Sequence, residues 1–299
     1  MKKSVSMLLA ALMLTGALAG CGSSASTSDT QAADNADSGV SGAITVISRE
    51  DGSGTRGAFI ELTGVEEKTA DGKKVDNTTA DAEIANKTDV VLTSVAGNEK
   101  AIGYISLGAL NDTVKAVKVD GAEATVDNVK AGAYKLSRPF NIATKGEPTG
   151  VAKDFINFIL SKEGQAVVTD NKYIAVNDAA GSFVSDGSSG QIAVGGSSSV
   201  SPVMEKLIEA YKSVNPNASI DLQTSDSTSG MTGAMDGTFA IGMASRELKD
   251  EEAAQLTGTA IALDGIAVIV NPANTIDELS MDQIKSIYVG DITDWGDLA

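Results

Sequence analysis

The sequence predicts an α/β fold, and three observations carry that expectation. Short apolar, β-branched runs such as 43–48 and 265–270 have the character of strands. Segments with apolar residues at helical spacing alternate with them. Small-residue loops join the two, and alternation of this kind builds a layered sheet covered by helices. The composition agrees: 31 glycines and only 4% aromatic residues suit many tight strand–helix turns better than a large aromatic core.

Taken in order, residues 43–48 form a strand, 49–55 a loop and 56–63 a helix. The polar segment 64–88 is expected to be rich in loops. A helix over 89–98 and a buried strand over 101–106 follow. An alternating strand covers 114–119, and Pro139 introduces another at 138–144. Val151, Phe155, Phe158 and Ile159 share one face of a helix over 149–160, with a second helix at 162–169. After a strand at 173–176, the Ser/Gly/Asp-rich stretch 177–190 reads as a linker.

The strand 191–194 then runs into a small-residue loop, 195–201. Pro202 stands at the first position of the next helix, where its missing N–H costs nothing. A strand at 219–223 leads to a Ser/Thr loop, 224–229, and a further helix. Strands at 239–243 and 265–272 and a helix at 281–288, capped by Ser280, complete the pattern.

The first 20 residues have the form of an export leader. Lys2 and Lys3 supply its charge, and the apolar run 7–14 is too short to span a bilayer. The leader ends in Leu18-Ala-Gly-Cys21, which resembles a bacterial lipobox, with lipid expected on Cys21. Residues 21–42, rich in Ser, Ala, Asp and Thr, form the expected disordered tether. Roughly 255 residues remain, enough for two domains of ordinary size.

Several function classes drop out on composition. Cys21 is the only cysteine and there is no histidine, so the usual zinc ligands and Ser-His or Cys-His pairs have no chemical basis here. No metal or cofactor is expected. The net charge is −17, or −19 once Lys2 and Lys3 leave (21 basic against 40 acidic). Nucleic acid and anionic lipid surfaces are therefore disfavoured partners. A small anion is still admissible, because surface charge is screened within about 10 Å while buried N–H dipoles act at contact distance.

Two loops carry the functional signal. One is Ser48-Arg-Glu-Asp-Gly-Ser-Gly-Thr-Arg-Gly-Ala-Phe59 and the other is Gly195-Gly-Ser-Ser-Ser-Val-Ser-Pro-Val-Met-Glu205. Each feeds a helix, a construction that gathers unpaired backbone N–H groups around an anion. The first differs from a nucleotide P-loop in lacking the Lys after its final Gly. Both resemble the phosphate-binding loops of the periplasmic-type phosphate-binding proteins of ABC importers. Ile-Gly-Met-Ala-Ser-Arg-Glu-Leu248, Asp264-Gly-Ile-Ala-Val-Ile-Val-Asn-Pro272 and Ile-Tyr-Val-Gly-Asp-Ile-Thr-Asp-Trp295 extend the resemblance over nearly the whole chain after the tether.

In that family the block from 195 onward comes first and the block from 44 follows. The resemblance therefore implies a circularly permuted, type II-like two-lobe fold, with 177–190 joining the family's usual ends. One lobe would combine 43–108 with 265–299, and the other would span 109–264.

The resemblance also implies a site. Arg49 would supply the positive charge, held in place by Asp51. Ser53, Gly54 and Thr55 would donate from one lobe. Ser198, Ser199 and Ser227 would donate from the other, and Ser245 would stand where many relatives place a carboxylate. Asp51, Glu247 and Asp264 are alternative acceptors for a phosphate proton, and Arg246 is a surface or lobe-closing residue rather than a ligand.

The expected function is capture of inorganic phosphate outside the cytoplasm and delivery to the transmembrane subunits of an ABC importer, by a lipid-anchored monomer. Alternatives are a general oxyanion receptor of sulfate type, a phosphate-ester hydrolase, and a surface sensor or adhesion protein that keeps the fold.

Overall fold

A computed structural model describes residues 40–298. The leader, Cys21 and most of the tether lie outside the described residues. Strand β1 (Thr45–Arg49) leads into helix α1 (Gly54–Thr63). The polar segment after it contains three short strands, β2 (Glu66–Lys68), β3 (Lys74–Asp76) and β4 (Glu83–Ala85). Helix α2 (Thr88–Ala96) and the fully buried β5 (Ala101–Ser106) follow. The strand expected at 114–119 is broken into β6 (Lys115–Ala116) and β7 (Lys118–Val119), which pair with different partners.

A short helix, α3 (Val126–Lys130), precedes β8 (Ser137–Thr144), α4 (Gly150–Ile159) and α5 (Lys162–Asp170). Then come β9 (Gly190–Ser197), α6 (Ser201–Val214), β10 (Ala218–Ser225), α7 (Ser227–Asp236) and β11 (Ile241–Ala244). A four-residue helix α8 (Asp250–Ala253), the long β12 (Thr257–Val270), β13 (Glu278–Leu279) and α9 (Met281–Val289) close the chain. Ser280 caps α9 in a reciprocal box with Gln283.

The main sheet runs in the order β10-β9-β11-β8-β12-β5-β1-β4. Its two ends belong to two separate hydrophobic cores. The first is built from α1, α2, α9, β1, β5 and the second half of β12. Its centre is an aromatic stack in which Phe59 lies on Tyr104 with ring centroids 3.9 Å apart, and Tyr288 meets Phe59 edge-on. The second is built from α4, α5, α6, β9 and the first half of β12. Strand β12 crosses between them, pairing antiparallel with β8 over 257–265 and with β5 over 266–270.

The structure corrects the expected division of the chain. Val114, Val117, Val119, Val129, Tyr134 and Leu136 pack into the first core, so the passage to the second core falls near Ser137 and not at 108. The reason is β6 and β7, which pair with β12 and β13 and draw that segment toward the first core. The strand expected at 173–176 reduces to one bridge, between Ile174 and Leu263.

The stretch 177–190 forms no helix or strand up to Gly190, yet it is tied down. Asp154, buried in α4, accepts from Ser185 Oγ (2.7 Å), the Asp186 N–H (3.0 Å), Tyr211 Oη (2.8 Å) and Asn215 Nδ2 (3.2 Å). Four donors on one carboxylate favour its charged form and hold its pKa below the usual range against the opposing effect of burial. Phe183 adds an edge-on contact to Phe158. Replacing Asp154→Ala strands three side-chain donors at once, so we expect a loss of about 2–4 kcal/mol, read as a lowered urea midpoint with unchanged slope.

Candidate functional site

Four helices point their first turns at one place, and a buried cation sits beside it. Strand β1 ends in Arg49, which is 2% exposed. Its backbone is fixed from below by Tyr104, whose hydroxyl accepts the Arg49 N–H (3.1 Å) and shares a hydrogen bond with Ser48 Oγ (2.9 Å). Arg56 Nη1 donates to the Arg49 carbonyl (2.7 Å). The chain then turns tightly, with the Ser53 N–H donating to the Glu50 carbonyl (2.9 Å), and enters α1.

The hydroxyls converge from both cores. Thr55, in the first turn of α1, shares a hydrogen bond with Ser199 (2.8 Å), which precedes α6. Arg49 Nη2 donates to Ser198 Oγ (3.1 Å). Thr88 opens α2, and its hydroxyl lies 3.5 Å from Ser198 Oγ and 3.4 Å from Ser199 Oγ. Ser227 opens α7 and accepts the Ser245 N–H (3.1 Å), while Ser197 Oγ donates to Ser245 Oγ (2.9 Å). All seven hydroxyl residues are buried. The loops also meet through their backbones, since the Thr228 N–H donates to the Gly52 carbonyl (3.2 Å).

Glycines make this approach possible. A Cβ at Gly54 would stand 2.3 Å from Ser227 Oγ and 2.8 Å from Ser245 Oγ, so a side chain would drive the two cores apart. Gly196 has φ +135°, and a Cβ there would meet the Met243 carbonyl oxygen at 2.4 Å. That close packing lets β9 continue through Ser197, where a loop was expected from 195.

Most of the residues singled out in the sequence are therefore gathered: Arg49, Gly54, Thr55, Ser198, Ser199, Ser227 and Ser245. Two differ in role. Asp51 does not hold Arg49. Its side chain is 97% exposed and pairs with Arg56 (3.0 Å), because it occupies the apex of the turn and points away from the buried strand end. Glu50 takes the expected place, gripping Arg49 through Nε and Nη2 at 2.8 Å each. Ser53 is buried, but its hydroxyl accepts the Arg56 N–H (3.3 Å) as the cap of α1.

Thr88, Ser197 and Glu50 were missed. Thr88 lies at the end of a polar segment without a motif. Ser197 sits one residue before the expected donors. The turn geometry that selects Glu50 over Asp51 has no signature in composition.

The other carboxylates considered as proton acceptors are engaged elsewhere. Glu247 Oε2 accepts from Asn141 Nδ2 (3.4 Å). Asp264 accepts from Ser106 Oγ (2.9 Å) and from Arg138 Nη2 (3.1 Å). Burial pushes the Asp264 carboxyl up to about 6, against the pull of Arg138 and Ser106. Arg246 is committed to Glu252 through two bonds of 2.7 and 2.8 Å and reaches Thr228 Oγ1 at 3.3 Å, which fits a bracing residue between loops. Among the described residues no group of three or more Asp, Glu, His or Cys side chains is placed to hold a metal.

One planar guanidinium, seven hydroxyls and the dipoles of four helix N-termini suit a compact anion with several oxygens. Water in bulk would weaken each contact, and the burial of the cluster excludes it.

A model of the PBP superfamily domain matches residues 25–163 and 182–299. Phosphate-binding protein PstS 2 of Streptococcus agalactiae is 50% identical over 300 residues, covering 99% of this chain and 98% of that one. The crystal structure of a phosphate-binding protein of a phosphate ABC transporter from Streptococcus pneumoniae TIGR4 aligns with TM-score 0.69 and 50% identity, covering 86% of this chain and 100% of that one. Phosphate-binding protein PstS of Bacillus subtilis is 34% identical over 137 residues, which is 45% of this chain and 42% of that one.

Two outcomes are expected from this geometry. Gly54→Ala should weaken binding of inorganic phosphate at least tenfold by calorimetry, whereas Asp51→Ala should leave it within twofold and Glu50→Gln should not. For Asp264, the raised pKa means that the folded state holds the proton more tightly than the unfolded chain, whose value is near 3.8. The stability this gives is fully present below that value and is lost as pH rises through about 6. Asp264→Asn should therefore flatten the fall in melting temperature between pH 4 and pH 7.

Proposed function

We infer that this chain, which belongs to the PstS-like phosphate-binding proteins of the PBP superfamily, captures inorganic phosphate between its two cores and delivers it to an ABC importer. The observation that carries the reading is the buried Arg49 guanidinium set among Thr55, Thr88, Ser198 and Ser199 at the mouths of three helices. These groups now bond to one another. Phosphate entering between them exchanges those bonds for charge-assisted ones, each worth roughly 1.5–3 kcal/mol net. Several such bonds support micromolar affinity or better after the cost of ordering the two cores.

In this reading the two cores are lobes, and β8 and β12 are the strands about which they close. Closure over the ligand tells the importer that the protein is loaded. The Ser245 hydroxyl can donate or accept, so it does not repel a fully ionised oxyanion as a carboxylate would. Sulfate is therefore the informative competitor.

The reading also includes a lipid on Cys21, supported by Leu18-Ala-Gly-Cys21, and attachment to the outer face of the cell membrane as a monomer. Among the described residues no helix is long and apolar enough to cross a membrane. Circular permutation belongs to it as well. The Ile44 N–H donates to the Thr293 carbonyl (2.8 Å) and the Trp295 N–H to the Gly42 carbonyl (3.1 Å), so the segments that the permutation separates lie side by side. The match to the Bacillus subtilis relative stops at under half of either chain, as a reordered sequence would in a linear comparison.

Calorimetric titration of the soluble chain from residue 38, one compact unit, tests the reading. Tight binding of phosphate is expected, with sulfate much weaker, and Arg49→Ala should weaken phosphate binding at least tenfold. Silence toward both anions would overturn it.

A further inference from the structure

A short segment runs alongside β12 where the two cores meet. The Ile174 N–H donates to the Leu263 carbonyl (3.0 Å), and the Leu263 N–H donates back to the Ile174 carbonyl (2.9 Å). Adjacent residues of this segment serve different cores: Tyr173 packs in the second and Ile174 in the first. Tyr173 also reaches across the boundary. A Cβ at Gly108 would stand 2.2 Å from Tyr173 Cζ and 2.4 Å from its Oη, so the phenol lies directly on the Gly108 backbone. Gly108 sits in the single turn Leu107–Ala109 that follows β5, and Leu107 belongs to the first core. Only a residue without a side chain permits that approach.

The hydroxyl at this contact is unsatisfied. Among the described residues, two buried side-chain polar atoms have no hydrogen-bond partner, Tyr173 Oη and Arg138 Nη1. Both belong to this boundary, since the Tyr173 ring and the Arg138 guanidinium carbon each lie 5.4 Å from the centre of the Phe140 ring. The Asp264 carboxylate, next along β12 from Leu263, serves Ser106 and Arg138 instead. Burial holds the Tyr173 hydroxyl well above its usual pKa, so it remains a neutral O–H. A buried donor left unmade is costly, and such a group calls for an explanation.

The arrangement that carries this cost is the one in which loops of the two cores touch, Thr55 on Ser199 and Thr228 on Gly52. Separating the cores parts Tyr173 from Gly108 and lets water reach the hydroxyl. We propose that Tyr173 is an affinity-setting residue of the hinge, whose unpartnered hydroxyl, pressed onto Gly108, disfavours closure of the unloaded chain. The inference rests on the phosphate reading above for its ligand. Tyr173 lies outside the oxyanion cluster and acts as a positioning residue, through the balance of open and closed forms. Apparent affinity scales with the fraction of chain that is competent to bind, so relieving the cost tightens binding without any new contact to the anion.

Tyr173→Phe keeps the ring and its packing on Phe140 and removes only the hydroxyl. Titration of the chain from residue 38 with inorganic phosphate should show binding about fivefold tighter than wild type. X-ray scattering should show the phosphate-free variant more compact than the phosphate-free wild type, with the two saturated forms equal in size. A hydroxyl with a purely structural role would lower the melting temperature on removal and produce neither of these gains. Unchanged or weaker phosphate binding by the folded variant, or unchanged scattering without phosphate, would overturn the proposal and leave the phosphate reading intact. A wild-type chain silent toward phosphate would overturn that reading instead, and the phosphate-free scattering would still decide the hinge.

Discussion

Burying a guanidinium is the constraint on which this molecule turns. An ion taken out of water loses several kcal/mol of hydration, and only close partners offset that loss. Arg49 meets the requirement through Glu50 on one side and hydroxyls on the other. Its backbone is fixed by Tyr104 and Arg56, and Tyr104 is itself locked in the aromatic stack of the first core. The charge is therefore held on a rigid strand end while the groups opposite come from a different core. A ligand that joins the two must carry oxygens on several sides.

The sheet explains how such a site can open. Two hydrophobic cores share one sheet, and the passage between them is confined to the middle strands. Contacts across the site are polar: Thr228 with the Gly52 carbonyl, Thr55 and Thr88 with Ser199, and Arg49 and Thr88 with Ser198. Polar contacts of this kind exchange readily for water, so separating the loops costs far less than splitting either core.

Much of this was legible in the sequence, for identifiable reasons. The buried strand at 101–106 and the helix beginning after Ser280 followed from apolar periodicity and a capping residue, signals that act within a few positions. The glycine-rich loops were legible because closely approaching backbones require small residues, as Gly54 shows. What escaped depended on contacts distant in sequence. The hairpin of β2 and β3 is largely exposed and carries no apolar pattern. β12 begins well before 265 because β8 pairs with it there, through residues poor in bulky apolar side chains. Glu50 and Asp51 are adjacent acids of equal charge, and only the turn decides which faces inward. Arg138 and Asp264 lie 126 positions apart, so their pairing has no local trace.

In the phosphate reading, the hydroxyls now bonded to one another hold the anion beside Arg49. A crystal structure of the chain from residue 38 grown with inorganic phosphate tests it most directly. The expected result is a phosphate bonded to Arg49, Thr55, Ser198, Ser199 and Ser227, with the Thr55–Ser199 hydrogen bond broken. Phosphate bound at another place, with that bond and the Arg49–Ser198 contact intact, would contradict it.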